Sequence, residues 1–163
     1  MKLSLKLLVI ITLYGFLIFA CSQTRNNAPL SKNSPTDKPH TVQGAEQLEK
    51  YDKLIKPYVE QAKKTLPQAK EKFQKGLRAG EAFFLVIRIF DSNGNYEQVF
   101  VRVEEWNDEN IQGNIANDLN TVKGFTFGQS IEFNENSVLD WLISKPDGTE
   151  EGNFIGKFLD TLN

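Results

Sequence analysis

The stretch "AFFLVIRIFDSNGNYEQVFVRVEEW", Ala82–Trp106, decides the fold. Its first nine residues are apolar except for Arg88 and rich in β-branched and aromatic side chains, which is typical of a central strand covered on both faces. The pair Asn93-Gly94 tolerates the positive φ angles of a tight turn. Beyond that turn, valines occupy every second position from Val99 to Val103, so one face of a second strand is apolar. The stretch therefore predicts a β-hairpin.

The segments on either side of this hairpin complete an α+β domain. Apolar residues at steps of three and four from Leu48 to Leu77 predict helices, and we expect Pro57 and Pro67 each to begin a new helical segment or to kink the first. After the hairpin we expect strands at "IQGNIAN", "SIEFN" and "SVLDWLI", and at "NFIGKFLDTL" either a terminal helix or an edge strand followed by a short helix. The expected fold is α+β, with N-terminal helices packed on a small bent antiparallel sheet or a partial SH3-like barrel.

The N-terminus has the pattern of an export signal. Lys2 and Lys6 precede the apolar run Leu7–Ala20, which is shorter than the roughly 20 residues that a membrane-spanning helix needs. The small residue Ala20 is followed by Cys21, the only cysteine in the chain. This arrangement resembles a bacterial lipoprotein signal and predicts a signal peptide over residues 1–20 with lipid on Cys21. A plain signal peptide cut elsewhere and an uncleaved membrane span are the alternatives.

Between this signal and the hairpin domain lies a polar segment. Residues 21–44 are rich in Ser, Asn, Thr, Pro and Gln, and such a composition buries too little apolar surface to fold. We expect a lipidated cysteine followed by a disordered tether, with a single α+β domain over residues 45–163. The only histidine, His40, falls in the tether without partners for metal binding or catalysis.

The charge of the chain is mildly acidic and unevenly distributed. Without residues 1–20 there are 17 basic and 21 acidic side chains, a net charge of −4, which argues against a nucleic-acid partner. Residues 45–78 hold nine basic and five acidic side chains, whereas residues 79–163 hold five and fifteen. The acidic part can be a solvated surface or a surface that meets a basic partner.

Five segments resemble a bacterial family known as YegJ-like, a domain of unknown function. The resemblance runs from about Tyr58 to Leu159 and implies a small α+β domain without an established activity. The segments that carry it are Leu66-Pro67, "EQVFV" at 97–101, "GNIAND" at 113–118, "VKGFTFGQSIEFNENSVLDW" at 122–141 and "GNFIGKFL" at 152–159.

This chain departs from the YegJ-like pattern at several polar positions. Gln98 stands where the family has His, and Phe100 stands where it has Trp. Leu119 replaces a Pro, and Ile155 and Lys157 replace a Thr and an Arg. A catalytic His in the family would therefore have no counterpart here.

Few side chains remain that could perform chemistry. With one cysteine and one histidine, the chain lacks the residues of Cys/His or Ser/His nucleophilic sites and of ordinary zinc sites, so we expect no metal and no cofactor. The weak catalytic candidates are two carboxylates, Asp140 and Glu104. Asp140 stands among apolar residues and should accept hydrogen bonds or pair with Arg88 or Arg102.

Two tryptophans and two arginines are candidates for binding. Trp106 and Trp141 can form a binding surface or pack in the core, and Arg88 and Arg102 interrupt otherwise apolar strands. The favoured interpretation is a non-catalytic domain in the bacterial cell envelope, held at a lipid bilayer through Cys21, at the outer membrane and facing the periplasm. Its partner would be a basic protein, such as a toxin that it neutralises, or an envelope polymer. The alternative is a periplasmic hydrolase that depends on Asp140 and Glu104.

Overall fold

The computed structural model describes residues 44–162. The expected signal peptide (1–20), Cys21, the tether (21–44) and His40 therefore lie outside the described residues, apart from Gly44. The elements, in chain order, are α1 (Ala45–Lys75), β1 (Ala82–Phe90), β2 (Tyr96–Asn107), β3 (Asn110–Ile115), β4 (Ser130–Asn134), a short 3-10 helix (Glu135–Ser137), β5 (Asp140–Ser144), β6 (Glu150–Gly152) and α2 (Phe154–Asp160).

The N-terminal part of the domain is one helix, so of the two effects expected of the prolines, the start of a new helical segment at each is wrong. Pro57 and Pro67 both lie inside α1 and are exposed to solvent. A proline removes the hydrogen bond to the carbonyl four residues earlier, here at Lys53 and Lys63, and both of these residues are exposed as well. Burial of apolar side chains on either side of each proline outweighs the lost backbone bonds.

The six strands form one antiparallel sheet in the order β4-β3-β2-β1-β5-β6. The predicted hairpin is confirmed, with Val86 opposite Phe100 and the turn between Phe90 and Tyr96. The sheet is open, with β4 and β6 at its two edges. Of the two expected architectures, the structure therefore has the antiparallel sheet and not a partial barrel.

A β-bulge interrupts the pairing of β2 with β3. The register shifts between Val103 and Glu105, so Glu104 is the extra residue on β2. The alternation of side chains slips by one residue at a bulge. As a result Trp106 joins Val103 on the buried face, and Glu104 and Glu105 are both exposed.

The main core lies between the second half of α1 and one face of the sheet. Ala62, Leu66 and Ala69 of α1 pack against alternating residues of four strands and against Val122 and Val138 from the loops. The strand residues in this core include Phe83, Leu85, Val99, Val101, Trp106, Ile111 and Trp141. A second cluster joins the first half of α1 to α2 through Tyr51, Ile55 and Ile155, together with Tyr96 of β2.

The C-terminal segments partly follow the prediction. The segment "SVLDWLI" begins in the 3-10 helix, and β5 starts only at Asp140. The segment "NFIGKFLDTL" was predicted as a helix, or as an edge strand followed by a short helix. It forms the helix α2, and the edge strand β6 comes directly before it. Neither helix within residues 44–162 is both long and apolar enough to cross a bilayer.

Candidate functional site

Asp140 is fully buried and its carboxylate is bound by backbone groups. The Oδ1 atom accepts a hydrogen bond from the backbone N–H of Trp141 at 2.8 Å. The Oδ2 atom accepts one from the backbone N–H of Ile155 at 2.7 Å. Asp140 therefore connects β5 to the first turn of α2, rather than pairing with Arg88 or Arg102.

Burial governs the protonation of this carboxyl. Removal from water raises the pKa of Asp140 to about 7, against an ordinary value of 3.8. The hydrogen bonds from Ile155 and Trp141 and the charge of Lys157 oppose this rise. A pKa near neutrality would suit a general acid or base, but at 0 % exposure the carboxyl has no contact with solvent.

The second weak catalytic candidate, Glu104, lies far from Asp140. Phe100 and Asp140 are level with each other, because both pair with Val86 of the strand between them. Glu104 is four residues further along β2, so the two backbones are roughly 15 Å apart from strand spacing and rise. The exposed Glu104 accepts a hydrogen bond from Asn114 Nδ2 at 3.3 Å. The two carboxylates do not form one site.

Trp106 and Trp141 lie in the core. Their exposed fractions are 5 % and 4 %, and Phe83 lies between them, with ring centroids 6.0 Å from Trp106 and 6.4 Å from Trp141. Each indole N–H donates within the domain, from Trp106 to Glu135 Oε2 at 3.2 Å and from Trp141 to Thr65 Oγ1 at 3.0 Å. Both side chains pack and do not present a binding surface.

The two candidate arginines occupy different environments. Arg88 forms a two-pronged ion pair with Asp52 of α1, with its Nη2 atom 2.6 Å and its Nη1 atom 3.3 Å from the carboxylate oxygens. Its guanidinium also lies 5.3 Å from the ring centroid of Tyr96. Arg102 is half-buried on β2, opposite Asn114 of β3. Arg88 thus joins α1 to the hairpin.

Two acidic residues that the sequence did not identify as important organise the loops. The carboxylate of Glu97 is fully buried and accepts hydrogen bonds from the backbone N–H groups of three consecutive residues, Asn120–Val122. Asp91 accepts from the N–H groups of Asn93 and Asn95 in the hairpin turn and of Lys123. The pKa of Asp91 is lowered, mainly because the side-chain amide of Asn95 donates a hydrogen bond to its carboxylate.

The spacing Asp91, Asn93 and Asn95 resembles a calcium loop, but the oxygens of Asp91 accept hydrogen bonds from backbone N–H groups and from the side-chain amide of Asn95. In residues 44–162 there is no group of three or more Asp, Glu, His or Cys side chains placed to hold a metal ion. An aspartate that starts a short Asn/Gly turn is the signal that could have identified Asp91 as a turn residue.

An open groove of about 550 Å³ lies at the ends of β2, β3 and β4. Six of its eight lining residues are acids or amides, and the other two, Ile111 and Phe133, have their side chains in or against the main core. The polar lining residues are Glu105, Asn107, Asn110, Gln112, Glu132 and Asn134. We call this feature the polar groove.

The surroundings of the polar groove are acidic. Residues 104–114 and 130–134 contain five acidic residues and no lysine or arginine. The acidic residues are Glu104, Glu105, Asp108, Glu109 and Glu132. The amide-rich and acid-rich segments "EEWNDENIQGN" and "SIEFN" carry this signal in the sequence, but only the pairing of β3 with β4 brings them together.

A second cavity, of about 310 Å³, lies at the C-terminal end of α1. Its charges are mixed and largely paired, since Lys72 and Lys145 both approach Glu151 and Lys75 pairs with Glu71. Of these two cavities, the polar groove is the one with one dominant sign of charge.

Comparison with known proteins places the domain in a bacterial family. Residues 52–162 match the model of a family described as an uncharacterized protein conserved in bacteria (DUF2314). The chain belongs to this family. The match includes the sheet, the polar groove and most of α1. A search of curated proteins and a search of solved structures found no match.

The DUF2314 assignment supports the prediction of a bacterial domain of unknown function. It assigns no activity, so no residue role passes from the family to this chain. The YegJ-like resemblance stays a prediction. The geometry of the described residues is therefore the basis for any functional proposal.

Proposed function

We propose that this DUF2314 protein is a lipid-anchored binding protein of the bacterial cell envelope. Residues 1–20 act as a signal peptide, Cys21 carries the lipid, and residues 22–44 are a tether. The folded domain then stands at the periplasmic face of the outer membrane. Support for the anchor comes from the order of positive residues, apolar run, small residue and cysteine. Several acyl chains are needed for lasting attachment, and a lipoprotein cysteine carries them on its sulfur and its amine.

The observation that carries the binding role is the polar groove with its acidic rim. Two acidic side chains, Glu105 and Glu132, line the open groove, and no basic residue is among its lining residues. The strand segments 104–114 and 130–134 add three more acidic residues and no lysine or arginine, and such a concentration of one charge attracts a partner of opposite charge. The partner we propose is a basic protein, for example a toxin that the domain neutralises. An envelope polymer is the other candidate partner.

The hydrolase alternative has less support. Asp140 has the raised pKa of a catalytic carboxyl, but its oxygens are occupied by the N–H groups of Trp141 and Ile155. Glu104 lies roughly 15 Å away by strand geometry, beyond the separation at which two carboxylates act on one bond. The proposal is therefore a non-catalytic role.

Labelling of cells with a clickable fatty acid tests the anchor. The wild-type chain should incorporate the label and fractionate with the outer membrane, and Cys21→Ser should lose both properties. Label retained by Cys21→Ser, or wild-type chain in the aqueous fraction, would contradict lipidation at that sulfur.

Crosslinking in envelope extracts tests the binding role. Glu105→Gln with Glu132→Gln removes two charges from the polar groove. The control, Glu46→Gln with Glu49→Gln, removes two charges from the exposed start of α1. Partners should crosslink to the wild type and the control at low salt, lose crosslinking as salt increases, and fail to crosslink to the groove variant. Equal crosslinking by both variants would contradict an acidic binding site.

A further inference from the structure

Strand β4 (Ser130–Asn134) forms an edge of the sheet next to the polar groove. One side of β4 pairs with β3, with Ile131 opposite Gly113 and Glu132 opposite Gln112. No strand within residues 44–162 pairs with its other side. An edge of this kind offers backbone N–H and C=O groups to a further strand.

The hydrogen-bond pattern shows which groups face outward. Backbone bonds join Glu135 N–H to Glu109 C=O and Ile115 N–H to Gln129 C=O, so the odd-numbered residues of β4 are the ones bonded to β3. Residues in an antiparallel pair alternate between bonding to the partner and pointing away from it. The N–H and C=O groups of Ser130, Glu132 and Asn134 therefore point outward.

β4 lacks most of the features by which proteins protect edge strands, and its one charged side chain is Glu132. Such edges are usually very short, bulged, or interrupted by lysine or proline. β4 has five residues in regular register, "SIEFN", with no lysine, proline or bulge. The opposite edge, β6, has only three residues and leads directly into α2. The two edges therefore differ, and β4 is the one suited to pairing.

The side chains around this edge indicate which strand would fit. Glu132 and Glu105 both line the polar groove, with Gln112 of β3 between them. Ile131 and Phe133 are partly buried against the core on the other face, and Phe127, just before β4, is 60 % exposed. A strand with basic residues at alternate positions and apolar residues between them would complement both faces.

We infer that β4 accepts an extended segment of the basic partner as an additional strand of the sheet. This inference rests on the proposed function and adds to it the chemistry of the segment, in which basic and apolar residues alternate. Backbone hydrogen bonds would supply the pairing, and Glu132 would select for positive charge. A second copy of this chain is a poorer partner, because two-fold pairing of β4 with itself brings two copies of Glu132 together.

The experiment uses the full chain in mild detergent and a synthetic probe, the blocked peptide Lys-Val-Lys-Val-Lys-Val-Lys. Hydrogen exchange is followed for each backbone amide of β4. Without peptide, the Ile131 and Phe133 amides should be protected while the Ser130, Glu132 and Asn134 amides exchange rapidly. Saturating peptide should protect the amides of Ser130, Glu132 and Asn134. This alternating pattern distinguishes strand addition from binding by charge alone.

A matched pair of variants gives a second measurement. Ser130→Pro removes an outward N–H at the first position of the strand, where proline is tolerated, and leaves every charge in place. Ser130→Ala keeps the N–H and controls for the weak contact between Ser130 Oγ and Gln112 Nε2 at 3.4 Å. Peptide affinity should fall about three- to tenfold in Ser130→Pro relative to Ser130→Ala, the value of one backbone hydrogen bond.

The outcomes separate this inference from the proposed function. Unchanged exchange at Glu132 and Asn134, or equal affinity of the two Ser130 variants, would overturn strand addition even if the groove variant abolished binding. Failure of the peptide to bind at low salt would also overturn it. The acidic binding role would be overturned only by the crosslinking result.

Discussion

The Oδ2 atom of Asp140 on β5 accepts the backbone N–H of Ile155 in α2 over a distance of 2.7 Å. The helix has no cap of its own, because Asn153 at the cap position has left-handed φ and ψ angles of 55° and 48° and makes no side-chain capping bond. A carboxylate at a helix N-terminus satisfies an otherwise unpaired N–H group. Asp140 therefore attaches the C-terminal helix to the sheet from fifteen residues away.

The burial of Asp140 should make stability depend on pH. The pKa of Asp140 is about 7 in the folded chain and near 3.8 when unperturbed, so the folded state binds this proton more tightly. Its contribution to the free energy of unfolding is fully present below about pH 4 and is lost as the pH rises through about 7. The free energy of unfolding of the wild type should therefore fall relative to that of Asp140→Asn as the pH rises from about 4 to above 7.

Urea unfolding between pH 4 and pH 8 measures that difference in free energy. Because both chains share every other titrating group, the pH dependence that those groups contribute cancels in the comparison. An NMR titration of the Asp140 carboxyl gives the pKa directly if Asp140→Asn does not fold. A flat difference curve, or a carboxyl that titrates near pH 4, would refute the prediction.

Glu97→Gln should destabilise the domain by about 2 kcal/mol, because the charged acceptor of three backbone N–H groups is lost. Guanidinium unfolding measures the loss, and hydrogen exchange at Asn120–Val122 should accelerate. Glu132→Gln removes the same charge at an edge and should change stability by less than about 0.5 kcal/mol. Equal effects of the two substitutions would contradict a special role for Glu97.

Gly152→Ala should destabilise by about 2–4 kcal/mol, from backbone strain and overpacking together. Gly152 has a φ of 80°, and an added Cβ would contact the Trp141 carbonyl and lie 2.7 Å from Cε3 of its ring. Gly94 has a φ of 78° with nothing within 4 Å, so Gly94→Ala measures the strain alone. Thermal unfolding of the two variants measures the stability that each loses. A similar loss in Gly152→Ala and Gly94→Ala would show that the contact with Trp141 is unimportant.

The ion pair between Arg88 and Asp52 should contribute about 1 kcal/mol, since the Asp52 side chain is 46 % exposed and the pair is partly screened. A double-mutant cycle with Arg88→Met and Asp52→Ala measures the coupling energy by chemical unfolding. The coupling should weaken as salt increases. The exposed pair Lys50 and Glu46 is the control and should couple less.

Local patterns predicted much of the sheet correctly. The β-hairpin, its turn at Asn93-Gly94 and the strands at "IQGNIAN" and "SIEFN" follow from alternation and turn chemistry, which depend on neighbouring residues. The expectation of a new helical segment at each proline was wrong, because distant contacts outweigh the local preference there. Pro57 and Pro67 do not divide α1, because the helix is held by its packing on the sheet and on α2.

The candidate site was less predictable. The sequence identified Asp140 as a carboxylate in an apolar strand that needs hydrogen bonds, but not that Ile155 would provide one. It identified an acidic second half, but not the groove that gathers Glu105 and Glu132. The prediction did not include the bulge at Glu104, although two consecutive glutamates interrupt the alternation of β2 between Val103 and the buried Trp106.

The sequence by itself determined the α+β class, the central hairpin and the uneven charge, because these depend on residue type and on spacings of two to four residues. Only the tertiary structure decided that Asp140 binds the start of α2, that both tryptophans are buried, and that β4 is an unprotected edge beside an acidic groove. Each of these relationships joins residues distant in sequence, so it depends on strand order and register, which local pattern does not encode.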